Sequence, residues 1–172
     1  MHEPYCNEEK GLYSFREPRI SDGSIIHRLI ERSKPLDLNS LYSYLLLAEH
    51  FKDTCIVAER VGNIVGFISA YVHPSRKDTL FVWQVAVDEQ ERGNGVAGRM
   101  LERLFARAGL KSVSYLETTV NPSNQRSRHL FESFAKRFQA PCTTSVLFPK
   151  ELFGKDTHEA EILFRIGPFQ AL

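Results

Sequence analysis

The chain alternates between stretches with helical spacing of apolar residues and short runs rich in apolar and β-branched residues. Helices are predicted over 24–33, after a cap at 39–40, and over 95–108 and 124–137. Strands are predicted over 54–60, 64–73, 80–87, 113–120, 143–147 and 162–166, with a short one over 15–18. This order predicts an α/β fold with a mixed central sheet and flanking helices. Without repeats or low-complexity linkers, the chain is expected to form a single domain over 15–172, preceded by a flexible tail over 1–14.

Three local patterns make this prediction more specific. The run over 80–87 is almost wholly apolar, which is typical of a central strand buried on both faces. The strands before it are joined by a predicted turn at Gly62 and Asn63. In the second helix Tyr42 and Tyr44 flank the expected buried stripe on opposite sides. This stripe comprises Leu38, Leu41, Leu45 and Ala48.

Composition narrows the classes of function. The 172 residues carry 22 Lys and Arg against 21 Asp and Glu, so a net charge of +1 argues against a nucleic-acid or anionic-membrane partner. No apolar run approaches the roughly 20 residues that span a bilayer, and residues 1–10 are too polar for a secretory signal. Three widely spaced cysteines form neither a disulfide framework nor a CxxC metal site. We therefore expect a cytoplasmic protein with reduced thiols and no metal.

The segment over 85–98 carries the main chemical signal. Gly93, Gly95 and Gly98 match a dinucleotide-binding GxGxxG, but five residues separate Val87 from Gly93 and too few βα units follow. The alternative is a Gln90-x-x-Gly93-x-Gly95 turn between a strand and a helix. Such a turn directs unpaired backbone N–H groups and a helix N-terminus at a diphosphate. An ordinary strand–helix connection remains the competing interpretation.

This arrangement resembles the GCN5-related N-acetyltransferase (GNAT) superfamily, whose second signature is matched by Asn124, Ser127 and Phe131. The resemblance implies splayed strands and acetyl-CoA as co-substrate, with no metal. It also implies main-chain contacts to the pantetheine and the pyrophosphate. The implied cofactor-binding residues are Val85, Val87, Arg92, Gly93, Gly95, Val96, Ala97, Gly98 and Asn124. Many members have a tyrosine where this chain has Phe131, so the general acid must be another group or water.

Longer strings are similar to one family within this superfamily, the diaminobutyrate acetyltransferases of ectoine biosynthesis. They include 36–44, 81–87 and the sequence LETTVNPSN over 116–124, and the resemblance covers about residues 15–131. It implies transfer of acetyl from acetyl-CoA to the γ-amine of L-2,4-diaminobutyrate, a role in osmoprotection, and a homodimer. The alternatives are another small diamine or a protein amine as acceptor, or a non-catalytic acyl-CoA-binding module.

Candidate acceptor-binding residues follow from the substrate's carboxylate and two amines. They are Asp37, Tyr42, Trp83, Asn121 and Glu159. Each has a structural alternative: a helix-start acid for Asp37, a core aromatic for Trp83, a turn former for Asn121 and a solvated acid for Glu159. Trp83 is expected to share a face with Val85 and Val87. The loop over 149–157, just before Glu159, is a candidate lid.

The catalytic residues are not identified by the sequence, although Glu117 and Tyr42 are candidates. Glu117 is equally typical of an ion-paired strand acid. We expect direct attack by the neutral amine, with a main-chain N–H such as that of Val87 at the thioester oxygen. Cys55 is the rival nucleophile, but it lacks a predicted histidine partner.

One basic feature has two interpretations. Arg99, Arg103 and Arg107 repeat along one face of the third helix. This spacing favours a solvated face, with a contact to the 3′-phosphate of CoA as the alternative.

Overall fold

Seven strands and four helices make up the computed structural model, which describes residues 13–154 and 158–169. The strands are β1 (Tyr13–Arg16), β2 (Ile56–Arg60), β3 (Asn63–Val72), β4 (Thr79–Val87), β5 (Tyr115–Val120), β6 (Cys142–Phe148) and β7 (Glu161–Ile166). The helices are α1 (Gly23–Glu31), α2 (Leu41–His50), α3 (Val96–Phe105) and α4 (Gln125–Arg137). Because β1 begins at Tyr13, the last two residues of the predicted tail belong to the sheet. The rest of that tail and part of the candidate lid, residues 155–157, lie outside the described residues.

The strands form one mixed sheet in the order β1-β2-β3-β4-β5-β7-β6. All neighbours are antiparallel except β4 and β5, which are parallel. The β4–β5 pairing extends only from Thr79 to Val82, opposite Tyr115 to Thr118. Beyond Val82 the two strands separate, and β5 continues alongside β7. The predicted mixed sheet with splayed strands is therefore confirmed.

Helices cover both faces of the sheet. On one face α3 and α4 pack against Ile56, Ala58 and Ile68, and on the other α1 and α2 pack against Val57 and Phe67. Burial of these apolar side chains is the main force that holds the layers together. None of the helices in the described ranges is long and apolar enough to cross a membrane.

The buried face of α2 differs from the predicted stripe. Tyr44, Leu47 and Ala48 are buried, whereas Leu38 and Leu41 are exposed. Apolar residues lie on two sides of this leucine-rich helix. The side that faces the core places the Tyr44 hydroxyl next to its hydrogen-bond partners. Tyr44, predicted at the edge of the core, is fully buried.

Two details of strand pairing also differ. The β2–β3 turn is centred on Val61 and Gly62, both with positive φ, rather than on Gly62 and Asn63. In β4 the register steps past Trp83, which is left without a partner on β3. The bulge interrupts the alternation of side chains between the two faces of the sheet. The prediction that Trp83 shares a face with Val85 and Val87 therefore does not follow from alternation. Trp83 is also 45% exposed, so the prediction of a strand buried on both faces is wrong at this residue.

Candidate active site

The open side of β4 presents main-chain groups that no strand of the described chain pairs with. The Asp88 N–H donates to the Val65 carbonyl at 2.8 Å, which marks a hydrogen-bonded pair of the β3–β4 ladder. Because such pairs alternate along antiparallel strands, the main-chain groups of Val87 and Val85 point away from β3. They face the gap left by β5, where the Val87 carbonyl accepts a hydrogen bond from Arg92 Nε at 3.2 Å. The strand can therefore pair with an extended ligand containing amides.

The turn after β4 is built to approach an anion. Gly93 and Gly95 have φ of +86° and +71°, and Gly95 immediately precedes α3. A Cβ at either position would meet nothing within 4 Å, so space lies above the backbone. Within the described chain, the N–H groups of residues 93–98 have no hydrogen-bond acceptor. These donors and the positive end of the helix dipole favour a diphosphate.

Glu91 anchors this turn to the edge of the sheet. Its carboxylate accepts hydrogen bonds from the Tyr13 hydroxyl and from Arg60 Nη1, the latter at 2.6 Å. These hydrogen bonds lower the pKa of Glu91, which keeps it ionised and paired. The Arg99 guanidinium lies 4.6 Å from the centre of the Tyr13 ring. Sequence reasoning missed this cluster because Tyr13 lies within the predicted tail.

A cavity of about 830 Å³ extends from the open side of β4 across the turn to the start of α4. It is lined by all the predicted cofactor-binding residues, Val85, Val87, Arg92, Gly93, Gly95, Val96, Ala97, Gly98 and Asn124. Ser127 also lines it, and its N–H donates to Asn124 Oδ1 at 3.1 Å as the cap of α4. The cavity is of the size typical for cofactor sites. None of Arg99, Arg103 and Arg107 lines it, so the structure does not support their contact with the 3′-phosphate.

Phe131 is buried in the core on α4, with 2% of its surface exposed. It packs within the same apolar cluster as Phe134 and Ala135. A phenyl ring has no acidic proton to give to a leaving thiolate. The general acid that tyrosine supplies in many similar enzymes is therefore absent from this position.

The segment before α2 is fixed over β4 near the bulge. Gln84 Nε2 donates to the Asp37 carbonyl at 2.7 Å, and Gln84 Oε1 lies 3.4 Å from the Tyr44 hydroxyl. The same hydroxyl accepts from the Asn39 N–H at 3.2 Å. The Asp37 side chain remains exposed, so its carboxylate is available to a ligand. Gln84 and Tyr44 position this segment, although neither was a candidate from the sequence.

The side chains of His158 and Glu161 link Asp37 to Asn121. His158 Nε2 lies 3.9 Å from Asp37 Oδ2 and 3.6 Å from Glu161 Oε1. Asn121 Nδ2 donates to the same Glu161 oxygen at 3.0 Å. Phe153, in the described part of the candidate lid, stacks on His158 at a centroid distance of 3.9 Å. His158 and Glu161 were missed as candidates, although both lie in the charged run that contains Glu159.

Glu159 binds the loop after β5 rather than this cluster. Its carboxylate accepts from the Ser123 N–H at 3.1 Å and from the Ser123 hydroxyl. It therefore holds the loop between Asn121 and α4 in place. Tyr42 is 67% exposed on α2, and no side-chain hydrogen bond within the described chain joins it or Trp83 to the other candidates.

Glu117 lies on β5 in a double ion pair. Its oxygens are each 2.5 Å from a guanidinium nitrogen, one from Arg76 and one from Arg165, and the residue is 3% exposed. Burying a charged carboxylate costs free energy unless a cation pairs with it in this way. With both oxygens occupied by cations, Glu117 fits the ion-paired interpretation better than that of a general base.

Cys55 is a poor nucleophile in this environment. It is fully buried, and burial raises the pKa of its thiol to about 11. Its sulfur lies 3.8 Å from the Ala70 carbonyl oxygen. Since the thiolate is the reactive form, transfer through Cys55 is disfavoured.

We therefore expect Cys55→Ala to retain most of the activity, because a buried thiol with a raised pKa is a poor acyl carrier. Steady-state rates of the variant and the parent protein check this, and their melting temperatures show whether the variant is as stable as the parent. Loss of activity in a stable variant, together with an acetylated Cys55 trapped in the parent and detected by mass spectrometry, would instead establish a covalent intermediate.

These features define an acyl-CoA-dependent transferase, and comparison with known proteins agrees. Residues 24–135 match the Acetyltransferase (GNAT) family. The chain therefore belongs to the GNAT family. The solved structure of Ard1 from Thermoplasma volcanium has the same fold, with a TM-score of 0.72 over 91% of this chain and 98% of its own, at 18% identity.

More similar relatives are named L-2,4-diaminobutyric acid acetyltransferase. The protein from Bordetella parapertussis is 48% identical over 91% of this chain and 85% of its own. That from Marinococcus halophilus is 44% identical over 90% of each chain. The diaminobutyrate acetyltransferase from Paenibacillus lautus, solved with L-2,4-diaminobutyric acid and coenzyme A, is 46% identical and superposes with a TM-score of 0.89, covering 92% of this chain and 96% of its own.

Proposed function

We propose that this protein transfers the acetyl group of acetyl-CoA to the γ-amine of L-2,4-diaminobutyrate, within ectoine biosynthesis. The proposal for the cofactor rests on the gap between β4 and β5, because within the described chain no strand pairs with Val85 and Val87 on the side beside the glycine turn. The relatives named above support the choice of acceptor. In this assignment the pantetheine pairs with β4, and the pyrophosphate occupies the N–H groups between Gly93 and Gly98.

The chemical requirement is a neutral amine next to the thioester. An aliphatic amine with a pKa of about 10.4 is roughly 99.9% protonated at pH 7. Forming its neutral, nucleophilic form therefore costs about 4–5 kcal/mol. The neighbouring α-ammonium lowers the pKa of the γ-amine and reduces this cost. Attack then places negative charge on the thioester oxygen, where the free N–H of Val87 can donate a hydrogen bond. The tetrahedral intermediate collapses by breaking the C–S bond and expelling the CoA thiolate, while the attacking nitrogen loses a proton and the thiolate takes one up, with water as the carrier. No covalent acyl-enzyme is required.

The acceptor site is proposed to lie where Asp37, Asn121, His158 and Glu161 meet. Asp37 and Glu161 place carboxylates near one another, which suits a substrate with two amines. Asn121 and Trp83 contribute N–H donors for the α-carboxylate. Tyr42 and Glu159 complete the proposed set at the rim, one exposed on α2 and the other bound to Ser123.

Thiol release from acetyl-CoA tests this function directly. We expect release that depends on diaminobutyrate and yields a product acetylated on Nγ. A protein that binds CoA but releases no thiol with any amine would be an acyl-CoA-binding module. Release with another amine alone would keep the transferase and change its acceptor.

The assembly is proposed to be a homodimer that uses β6. All seven residues of this edge strand are exposed, including Val146, Leu147 and Phe148 at 59%, 38% and 44%. An apolar edge strand favours association because its main-chain and apolar groups lack partners. A second copy of the chain is the proposed occupant. We place the protein in the cytoplasm, since Cys55 and Cys142 form no disulfide within the described residues.

Val146→Glu should shift the protein from dimer to monomer, because a charge would be buried at the proposed interface. Val61→Glu is the matched control, since Val61 is an 87% exposed valine at the β2–β3 turn. Sedimentation velocity at several concentrations measures the effect. A monomeric parent protein, or a Val146→Glu variant that dimerises as well as the Val61→Glu variant, would exclude this interface.

A further inference from the structure

A second cavity lies away from the acetyl-transfer site, at the far ends of α2 and α3. Its volume is about 710 Å³, and it is bounded by residues 15–20, the end of α2, β2 and the last turns of α3. We call it the distal cavity, defined by Arg19, Lys52, Arg103 and Arg107 together with the apolar walls Phe15 and Ile56. It shares no lining residue with the cofactor cavity.

Cationic side chains outnumber acidic ones around this cavity. Within the described chain, Arg19, Lys52, Arg103 and Arg107 form no ion pair. A further lining arginine, Arg16, is already neutralised by Asp22 and Glu59. The remaining lining acids are Glu17 and Glu49. The lining of this open cavity therefore carries a surplus of positive charge.

Arg107 is the fixed element of this group. Its Nη1 donates to the carbonyl oxygens of Lys52, Asp53 and Cys55 at 3.2, 2.9 and 2.7 Å. These bonds hold the guanidinium in one position and use only part of its five N–H donors. Burial lowers the pKa of Arg107, and the neighbouring Glu17 opposes this shift.

We propose that the distal cavity binds a small multivalent oxyanion, a molecule bearing phosphate or carboxylate groups, at a site separate from acetyl-CoA. Guanidinium and ammonium groups that line one cavity are the usual chemistry for recognising such groups. The apolar walls formed by Phe15 and Ile56 leave room for a short carbon skeleton. Arg103, exposed on α3, and Arg107, two residues after the end of α3, contribute two of these cations.

Calorimetric titration of inorganic phosphate and of citrate into the CoA-saturated protein tests this. Saturation with CoA blocks the glycine turn, and chloride keeps the ionic strength constant. We expect saturable binding of at least one anion, weakened about tenfold or more by Arg103→Gln through loss of a charge-assisted contact. Arg28→Gln, which removes an exposed arginine of α1 outside the cavity, should leave binding unchanged.

Lys52→Gln provides a second variant in case Arg103→Gln is unstable, and Arg107 is left intact because it braces three carbonyls. Binding of phosphate alone would indicate a phosphate ester as ligand, and binding of citrate alone a polycarboxylate. Absence of saturable binding would overturn the proposal. So would binding that neither Arg103→Gln nor Lys52→Gln weakens.

Discussion

Gly95→Asp should reduce the affinity for CoA at least about a hundredfold, because it places a carboxylate where the diphosphate binds. The Cβ enters open space, with nothing within 4 Å, and aspartate is one of the few residues that tolerate a positive φ, so the fold should be retained with a modest loss of stability. The measurement is calorimetric titration with CoA, accompanied by the melting temperature of each variant.

Gly95→Asn is the matched control for this substitution. Asparagine has the size of aspartate and also tolerates the positive φ of +71° at this position, but it carries no charge. We expect a much smaller loss of affinity than with aspartate. Equal affinities of the two variants and the parent for CoA would show that the diphosphate does not contact this turn.

Asp37→Asn should lower kcat/KM for diaminobutyrate roughly tenfold to a hundredfold, since it removes a charge-assisted contact to an amine of the acceptor. The Asp37 side chain is exposed, and its main-chain carbonyl, which Gln84 holds, is unchanged by the substitution. Affinity for CoA should therefore stay near that of the parent. Steady-state kinetics with varied diaminobutyrate and saturating acetyl-CoA measure the loss.

Asp53→Asn is the control, an exposed aspartate in the short helix after α2 and away from the acceptor cluster. It should leave kcat/KM unchanged. If the Asp37→Asn and Asp53→Asn variants both act like the parent enzyme, Asp37 does not bind the acceptor.

The glycine turn and the order of elements could be predicted because their signals are local. The backbone has a positive φ at Gly93 and Gly95, a conformation that favours glycine. The apolar runs match the observed strands within a few residues. The family, the fold and the acetyl-transfer function inferred from these strings are confirmed. The roles of individual site residues stay predictions.

Features that depend on pairing between distant segments could not be predicted. The bulge at Trp83 exists only in the register of β4 against β3. Tyr44 turns inward to meet Gln84, forty positions along the chain. Glu117 is paired with arginines from the β3–β4 connection and from β7, which no spacing in the sequence reveals. Each case is a tertiary contact that overrides a local pattern.

The acceptor is tested most directly by kcat/KM for diaminobutyrate, ornithine and lysine at saturating acetyl-CoA, with the acetylated nitrogen assigned by NMR. Each added methylene moves the reacting amine relative to a thioester held by β4, and a misfit of one methylene typically costs about 10–200-fold. We predict that diaminobutyrate is preferred by at least about tenfold over ornithine, that lysine is poorer still, and that acetylation occurs on Nγ. Equal values for diaminobutyrate and lysine, or acetylation on Nα, would contradict the proposed function.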